Sequence, residues 1–270
     1  MYKFGWFSTG RGKGSRELFK VALDNIKSGK IENASISYVF CSREPNESSE
    51  TDLFIELVKG SGVPLVCFSY QKFKGDRPDE VAGEPLSEWR LEYDRHVMDL
   101  LKGFDCNLCI LAGYMLIVGK EMCEKYNMLN LHPAAPGGPK GTWGEVIWQL
   151  IDAKAQETGV MMHLVTPELD EGPIVSYCKF PIVGGEFDSY WQAVDGLSAE
   201  DIKRSKGTEN ELFKAIRRQG VRRELPLITT TMAAFSSGKV FIANGQVFDN
   251  SGNIINGYNL TEEIEKMLED

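Results

Sequence analysis

Apolar residues recur along this chain in two alternating rhythms. Short apolar runs predict strands at Tyr2–Ser8, Ala34–Cys41, Val63–Phe68 and Cys106–Leu111, the last apolar enough to be buried on both faces. Between them the apolar spacing lengthens to that of a helix face. Leu18, Phe19, Val21, Ala22 and Ile26 predict one helix, Leu53–Val58 sits on another, and Trp89–Leu101 reads as a third. Tyr70–Pro85 is polar and carries Gly and Pro, so it is expected as a loop. Leu129–His132 predicts a short strand running into Pro133-Ala-Ala-Pro-Gly-Gly-Pro-Lys-Gly141, a composition in which no helix survives. Thr142 is placed to cap a helix reaching Leu150.

In the second half, Val160–Val165 and Ile174–Phe180 predict strands separated by Thr166-Pro-Glu-Leu-Asp-Glu-Gly172. Phe187–Val194 and Asn210–Phe235 are expected to be helical, the second broken by Gly220 and Pro226. Asn244-Gly and Ser251-Gly turn signals make Lys239–Asn256 a small β meander, and Glu262–Leu268 is a last helix. Strands alternating with helices imply an α/β fold, a mostly parallel, Rossmann-like sheet with helices on both faces. We expect residues 1–236 to form a catalytic domain and 237–270 a small C-terminal β/α extension of it. Ligands in such folds bind at the carboxyl ends of the strands. Three features fall there: Gly10-Arg-Gly-Lys-Gly14, the loop after His132, and the loop around Asp170.

Composition narrows the partners. The 270 residues are 42% hydrophobic and 26% charged, which excludes wholesale disorder. A net charge of −9 argues against general nucleic-acid binding, because phosphates are repelled. The longest mostly apolar stretch, Cys106–Val118, is too short for a membrane span, and the N-terminus lacks the pattern of a signal peptide. Six scattered cysteines form no disulfide framework, so a cytoplasmic protein with reduced thiols is expected.

Chemistry concentrates in few residues. Asn130 and His132 are two apart on a short strand, so both side chains share a face. Asn offers a neutral donor to a developing oxyanion, and His transfers protons near neutral pH. A carboxylate such as Asp170 could orient the imidazole. On composition alone, a turn-capping Asn130 and a core His132 stand as the alternative. The glycine loop ahead of a helix could cradle an anion on backbone N–H groups, or be a plain tight turn. Cys106-Asn-Leu-Cys109 has a spacing used for zinc or redox chemistry, but in a strand the two side chains are expected to diverge. With no second Cys/His pair of ligand spacing, no metal is expected.

Leu111-Ala-Gly-Tyr-Met115, Leu129-Asn-Leu-His-Pro133, Thr158-Gly-Val-Met-Met-His163 and Glu168-Leu-Asp-Glu-Gly-Pro173 follow one another in that order. The series resembles the folate-dependent formyltransferases, and within them the phosphoribosylglycinamide formyltransferase branch. The resemblance runs from about Tyr2 to Val183. It implies formyl transfer from 10-formyltetrahydrofolate, as co-substrate, to an amine, with glycinamide ribonucleotide of purine biosynthesis as leading acceptor. By it, Asn130, His132 and Asp170 are catalytic, and His163 supports them. Met115, Leu116, Ile117, Val118, Thr166, Pro167, Glu168 and Leu169 line the folate site. Arg90 matches an arginine near the folate, with a solvated helix arginine as the other reading. Gly12, Gly14, Ser15 and Arg16 meet the acceptor's phosphate.

The chain departs from that pattern in places. Arg16 replaces an Asn, Arg11 and Lys13 add charge, and Ala134-Ala-Pro-Gly137 follows His-Pro. The late Glu-His pair that contacts the ribonucleotide is replaced by Arg217, Arg218, Arg222 and Arg223, which could meet a phosphate or a polyglutamate tail or form a solvated face. The expected partners are therefore an anionic amine and a folate, with neither nucleic acid nor membrane, and a homodimer left open as the assembly. The alternatives are a formyltetrahydrofolate hydrolase, a formyltransferase acting on another anionic amine, and a non-enzymatic folate- or nucleotide-binding module. A first strand starting at Tyr2 speaks against the regulatory domain usual in such hydrolases.

Overall fold

A computed structural model describes residues 1–78, 80 and 85–269. Its main sheet has eight strands: β1 (Tyr2–Ser8), β2 (Ala34–Cys41), β3 (Leu65–Cys67), β4 (Leu108–Leu111), β5 (Met128–His132), β6 (Glu157–Leu164), β7 (Ile174–Pro181) and β10 (Tyr258–Asn259). They lie in the order β10-β7-β6-β5-β4-β1-β2-β3, and β6 alone runs against the rest. The sheet is thus mostly parallel, as the strand–helix alternation implies. Strand order reverses between β1 and β4, which opens a crevice at their carboxyl ends. A separate hairpin, β8 (Val240–Ala243) and β9 (Gln246–Asp249), turns at Asn244-Gly245 as its sequence signals.

Helices α1 (Lys13–Lys27), α2 (Ser49–Ser61), α4 (Glu88–Leu100), α6 (Trp143–Asp152) and α7 (Glu186–Gln192) follow the apolar periodicity. Thr142 caps α6 in a reciprocal pair with Glu145: the Glu145 N–H donates to the Thr142 hydroxyl, and the Glu145 carboxylate accepts from the Thr142 N–H. Other elements depart from expectation. The segment expected as a loop opens with α3 (Tyr70–Lys74), and its residues 79 and 81–84 lie outside the described residues. The short elements α5 (Lys120–Lys125), α8 (Ala199–Ser205) and β10 carry too few residues for a periodic signal. β10 pairs with β7, so the region after residue 237 contributes an edge strand to the main sheet, followed by α10 (Thr261–Glu269).

The largest correction is α9, Glu211–Ser236, which continues through both Gly220 and Pro226. A mid-helix proline costs about 3 kcal/mol in isolation. Here Leu227, Ile228, Met232 and Phe235 belong to the main core with Leu18, Phe19, Val160 and Met162, and that burial outweighs the breaker. Of the four arginines on α9, Arg222 is exposed, and the other three are paired. Arg223 grips both oxygens of Glu265 on α10 and lies 4.3 Å over the Phe180 ring, while Arg218 pairs with Glu186 on α7 and Arg217 with Glu224. Trp143 and Trp148 pack on Phe213 of α9.

Arg90 on α4 is 1% exposed. Its guanidinium donates to Asp94 at 2.7 Å and to the Ile117 carbonyl at 2.5 Å, while Asp94 accepts from the Gly119 N–H at 2.7 Å. The pair braces segment 115–119 from behind. Removing one member strands the other charge in the core, so Arg90→Met should cost about 3–5 kcal/mol in urea unfolding. Arg90→Met/Asp94→Leu should recover most of that loss.

Candidate functional site

Strand geometry assembles the polar cluster. Asn130 and His132 project from the same face of β5, and antiparallel pairing sets His163 of β6 directly opposite Asn130. The β6–β7 loop then returns Asp170 between the two histidines. Asp170 sits at φ +55°, a left-handed conformation unusual for a non-glycine residue. Gly172 makes that path feasible, because a Cβ there would fall 1.7 Å from the Leu164 carbonyl oxygen. The Leu164 N–H in turn donates to the Pro173 carbonyl at 2.8 Å.

The side chains of His132 and His163 are each 3% exposed and that of Asp170 is 6% exposed. Asp170 Oδ2 lies 3.6 Å from His132 Nδ1, and Oδ1 lies 3.4 Å from His163 Nε2. Asn130 Nδ2 is 3.2 Å from His163 Nε2 and 3.4 Å from Asp170 Oδ1, and the Gly141 N–H approaches Oδ2 at 3.4 Å. The far ring nitrogens meet main-chain carbonyls: His132 Nε2 donates to Pro139 at 2.9 Å, and His163 Nδ1 donates to Leu164 at 3.0 Å. A carbonyl only accepts, so these contacts assign the tautomers.

Burial lowers the pKa of His132 from 6.5, outweighing the Pro139 hydrogen bond and the Asp170 charge that would raise it. Burial alone would raise Asp170, but its contacts with His163, His132 and the Gly141 N–H reverse that and hold it below 3.8. The resting site is therefore an ionised carboxylate beside a neutral His132.

The two stretches that the resemblance assigns to folate differ in exposure along their length. Met115 and Leu169 are exposed large apolar residues, and Val118 is buried. Leu116, Ile117 and Thr166 are half-buried, whereas Pro167 and Glu168 are exposed. Arg90 reaches this region only through the Ile117 carbonyl. Its expected place beside a ligand is corrected to that of an internal brace, and it is not a solvated arginine either.

At the end of β1, Gly10 turns with φ +65° and Gly12 precedes α1 without a side-chain cap. The first-turn N–H groups at Lys13, Gly14 and Ser15 thus have no intrahelical partner. No atom crowds Gly12 or Gly14, and Ser15 is buried beside Gly113. The Thr9 hydroxyl meets Ser42 at 2.9 Å and accepts from the Met115 N–H at 3.0 Å, tying this loop to the next strand end. Arg16 departs from expectation: its guanidinium is bound to Glu50, 2.6 Å from the carboxylate and 3.2 Å from the main-chain carbonyl. It fastens α1 to α2 instead of facing the cradle.

The cysteine geometry also departs from expectation. Cys106 precedes β4 rather than lying within it, and the Cys106 and Cys109 sulfurs are 3.4 Å apart, both beside the Tyr38 hydroxyl. Among the described residues, the donors that could share a metal are His132, His163 and Asp170, whose ligand atoms all lie within 4.8 Å of one another. Sequence reasoning missed the Pro139 and Leu164 carbonyls, the Gly141 N–H and the role of Gly172. The Pro/Gly content of both loops is the only signal pointing toward them.

The formyl transferase family matches residues 13–190, about two thirds of the chain, and the chain belongs to that family. It is 29% identical over 192 residues to the phosphoribosylglycinamide formyltransferase of Saccharomyces cerevisiae, covering 67% of this chain and 86% of that protein. It is 28% identical over 146 residues to the human trifunctional purine biosynthetic protein adenosine-3; that match covers 53% of this chain but spans only 14% of that protein. The phosphoribosylglycinamide formyltransferase of Coxiella burnetii superposes with TM-score 0.66 at 17% identity, covering 96% of this chain and 98% of that one, and so shares its fold. Among the described residues no helix is long and apolar enough to cross a membrane.

Two outcomes test the site's construction. Gly172→Ala should destabilise the protein by about 1–3 kcal/mol or displace Asp170, whereas Gly144→Ala, with open space around it, should be close to neutral. The second concerns pH. Because the folded pKa of His132 is lowered, the unfolded chain binds more protons below 6.5. Its contribution to stability is complete above 6.5 and is lost as pH falls through the folded value. Urea unfolding across about pH 5–8 should show that slope diminished in His132→Asn.

Proposed function

We propose that the chain transfers a formyl group from 10-formyltetrahydrofolate to a primary amine, with glycinamide ribonucleotide as the leading acceptor. The convergence of Asn130, His132, His163 and Asp170 carries this reading. A formamide is a weak electrophile, so its transfer depends on stabilising a tetrahedral oxyanion. Asn130 supplies a neutral donor to that oxygen. As the amine nitrogen bonds to the formyl carbon, its proton passes to the Asp170–His132 pair, where Nδ1 holds a lone pair. His132, now protonated and held beside Asp170, sets its positive charge next to the oxyanion. It then releases the proton to the departing folate nitrogen as the carbon–nitrogen bond to the folate breaks. His163 holds Asn130 and Asp170 in register.

The acceptor's anion fits the N–H groups at Gly12, Gly14 and Ser15, with Arg16 setting the helix that presents them. The apolar stretches Met115–Val118 and Thr166–Leu169 suit the folate. Family membership and the relatives' names support formyl transfer over mere binding.

Asn130→Ala, His132→Ala and Asp170→Ala should each lower turnover, by about 10²–10³ for the loss of one oxyanion donor. Double variants should lose less than the product of the singles, since the three act together. Release of tetrahydrofolate should require the amine. Equal turnover in its absence would indicate hydrolysis, and wild-type rates in His132→Ala would refute the assignment.

A further inference from the structure

The tautomers of the two histidines have a second chemical meaning. Each ring spends its one N–H on a main-chain carbonyl, His132 on Pro139 and His163 on Leu164. The lone pairs at His132 Nδ1 and His163 Nε2 therefore face Asp170, itself an acceptor. Three electron-pair donors converge in a buried place, and the N–H groups that approach them do so at long range: Asn130 Nδ2 at 3.2 and 3.4 Å, and Gly141 N at 3.4 Å. The Lys140 ammonium is turned to Glu171. Such a cluster is short of positive charge.

We propose that His132, His163 and Asp170 bind a divalent transition-metal ion of the zinc type, and that its occupancy excludes formyl transfer. The spacing suits it. Bonds of about 2.0–2.1 Å in a tetrahedral site set neighbouring donors about 3.3–3.4 Å apart. The observed separations are 3.4 Å for His163–Asp170 and 3.6 Å for His132–Asp170, with all donor atoms within 4.8 Å. Metal-binding histidines characteristically donate their other N–H to a carbonyl or carboxylate, and both rings here already do. Two imidazoles and one carboxylate select zinc or cobalt over magnesium or calcium, which prefer oxygen. Asn130, with its amide turned over, places Oδ1 where Nδ2 now lies and adds a fourth donor, or a water takes that position.

The binding follows from geometry alone; its effect on activity rests on the proposed function. A bound ion would occupy the Nδ1 lone pair and the carboxylate that must take up the amine's proton.

The test is titration of the metal-free Cys106→Ser/Cys109→Ser protein with cobalt(II) chloride, read by visible absorption, and equilibrium dialysis against zinc chloride. Removing the adjacent thiols silences a competing sulfur site. The expected result is one bound equivalent with nitrogen/oxygen-type spectra and no thiolate charge-transfer band. His163→Gln and the near-isosteric Asp170→Asn, each checked for folding by circular dichroism, should weaken binding by at least about tenfold. Absence of binding, equal affinity in the folded variants, or equal affinity for magnesium chloride would overturn the site. In a formyl-transfer assay, zinc should abolish turnover and a chelator restore it. Undiminished turnover with one equivalent bound would overturn the exclusion while leaving the site standing.

Discussion

A buried carboxylate placed between two imidazoles whose outer nitrogens are fixed by the main chain is the constraint around which the rest is arranged. An isolated ionised carboxylate is costly to bury, and among the described residues Asp170 pairs with histidines and with no arginine or lysine. Its surroundings answer with one side-chain amide and one backbone N–H, both at 3.4 Å, and two imidazole edges close the pocket around it. Each is held by an element whose own position is fixed elsewhere. The Pro139 carbonyl comes from a loop stiffened by proline, and the Leu164 carbonyl from the closing residue of β6. The same arrangement sets the reactivity: a neutral imidazole edge and an anion side by side, ready to share a proton.

The sheet makes this possible by one reversal of direction. With β6 antiparallel to β5, His163 falls opposite Asn130 at the carboxyl end of the sheet, and the β6–β7 loop reaches the same place. A parallel β6 would need a crossover and would deliver its loop from another direction. Around this centre ion pairs act as fasteners. Arg90–Asp94 holds 117–119, Arg223–Glu265 holds α9 to α10, and Arg16–Glu50 holds α1 to α2.

What the sequence disclosed follows from the range of each signal. β1 and β2 are legible to the residue because apolar runs between turn formers are local. The shared face of Asn130 and His132 is legible because strand period is exact. The path of α9 through Pro226 is not, since packing against distant strands decides it. Nor is the fate of Arg16, whose partner Glu50 lies 34 residues away and reaches it only once α1 and α2 are packed. Strand alternation makes Cys106 and Cys109 diverge only if both lie on the strand, and Cys106 lies ahead of it, where alternation no longer applies. The carbonyl contacts that fix the imidazole tautomers are main-chain features that no side-chain motif encodes.

Nitrogen-15 chemical shifts of the two imidazoles, measured at neutral pH on metal-free protein, test the central arrangement most directly. The account predicts the Nε2–H tautomer for His132 and the Nδ1–H tautomer for His163, leaving lone pairs on the nitrogens that face Asp170. Protons found instead on His132 Nδ1 and His163 Nε2 would contradict it.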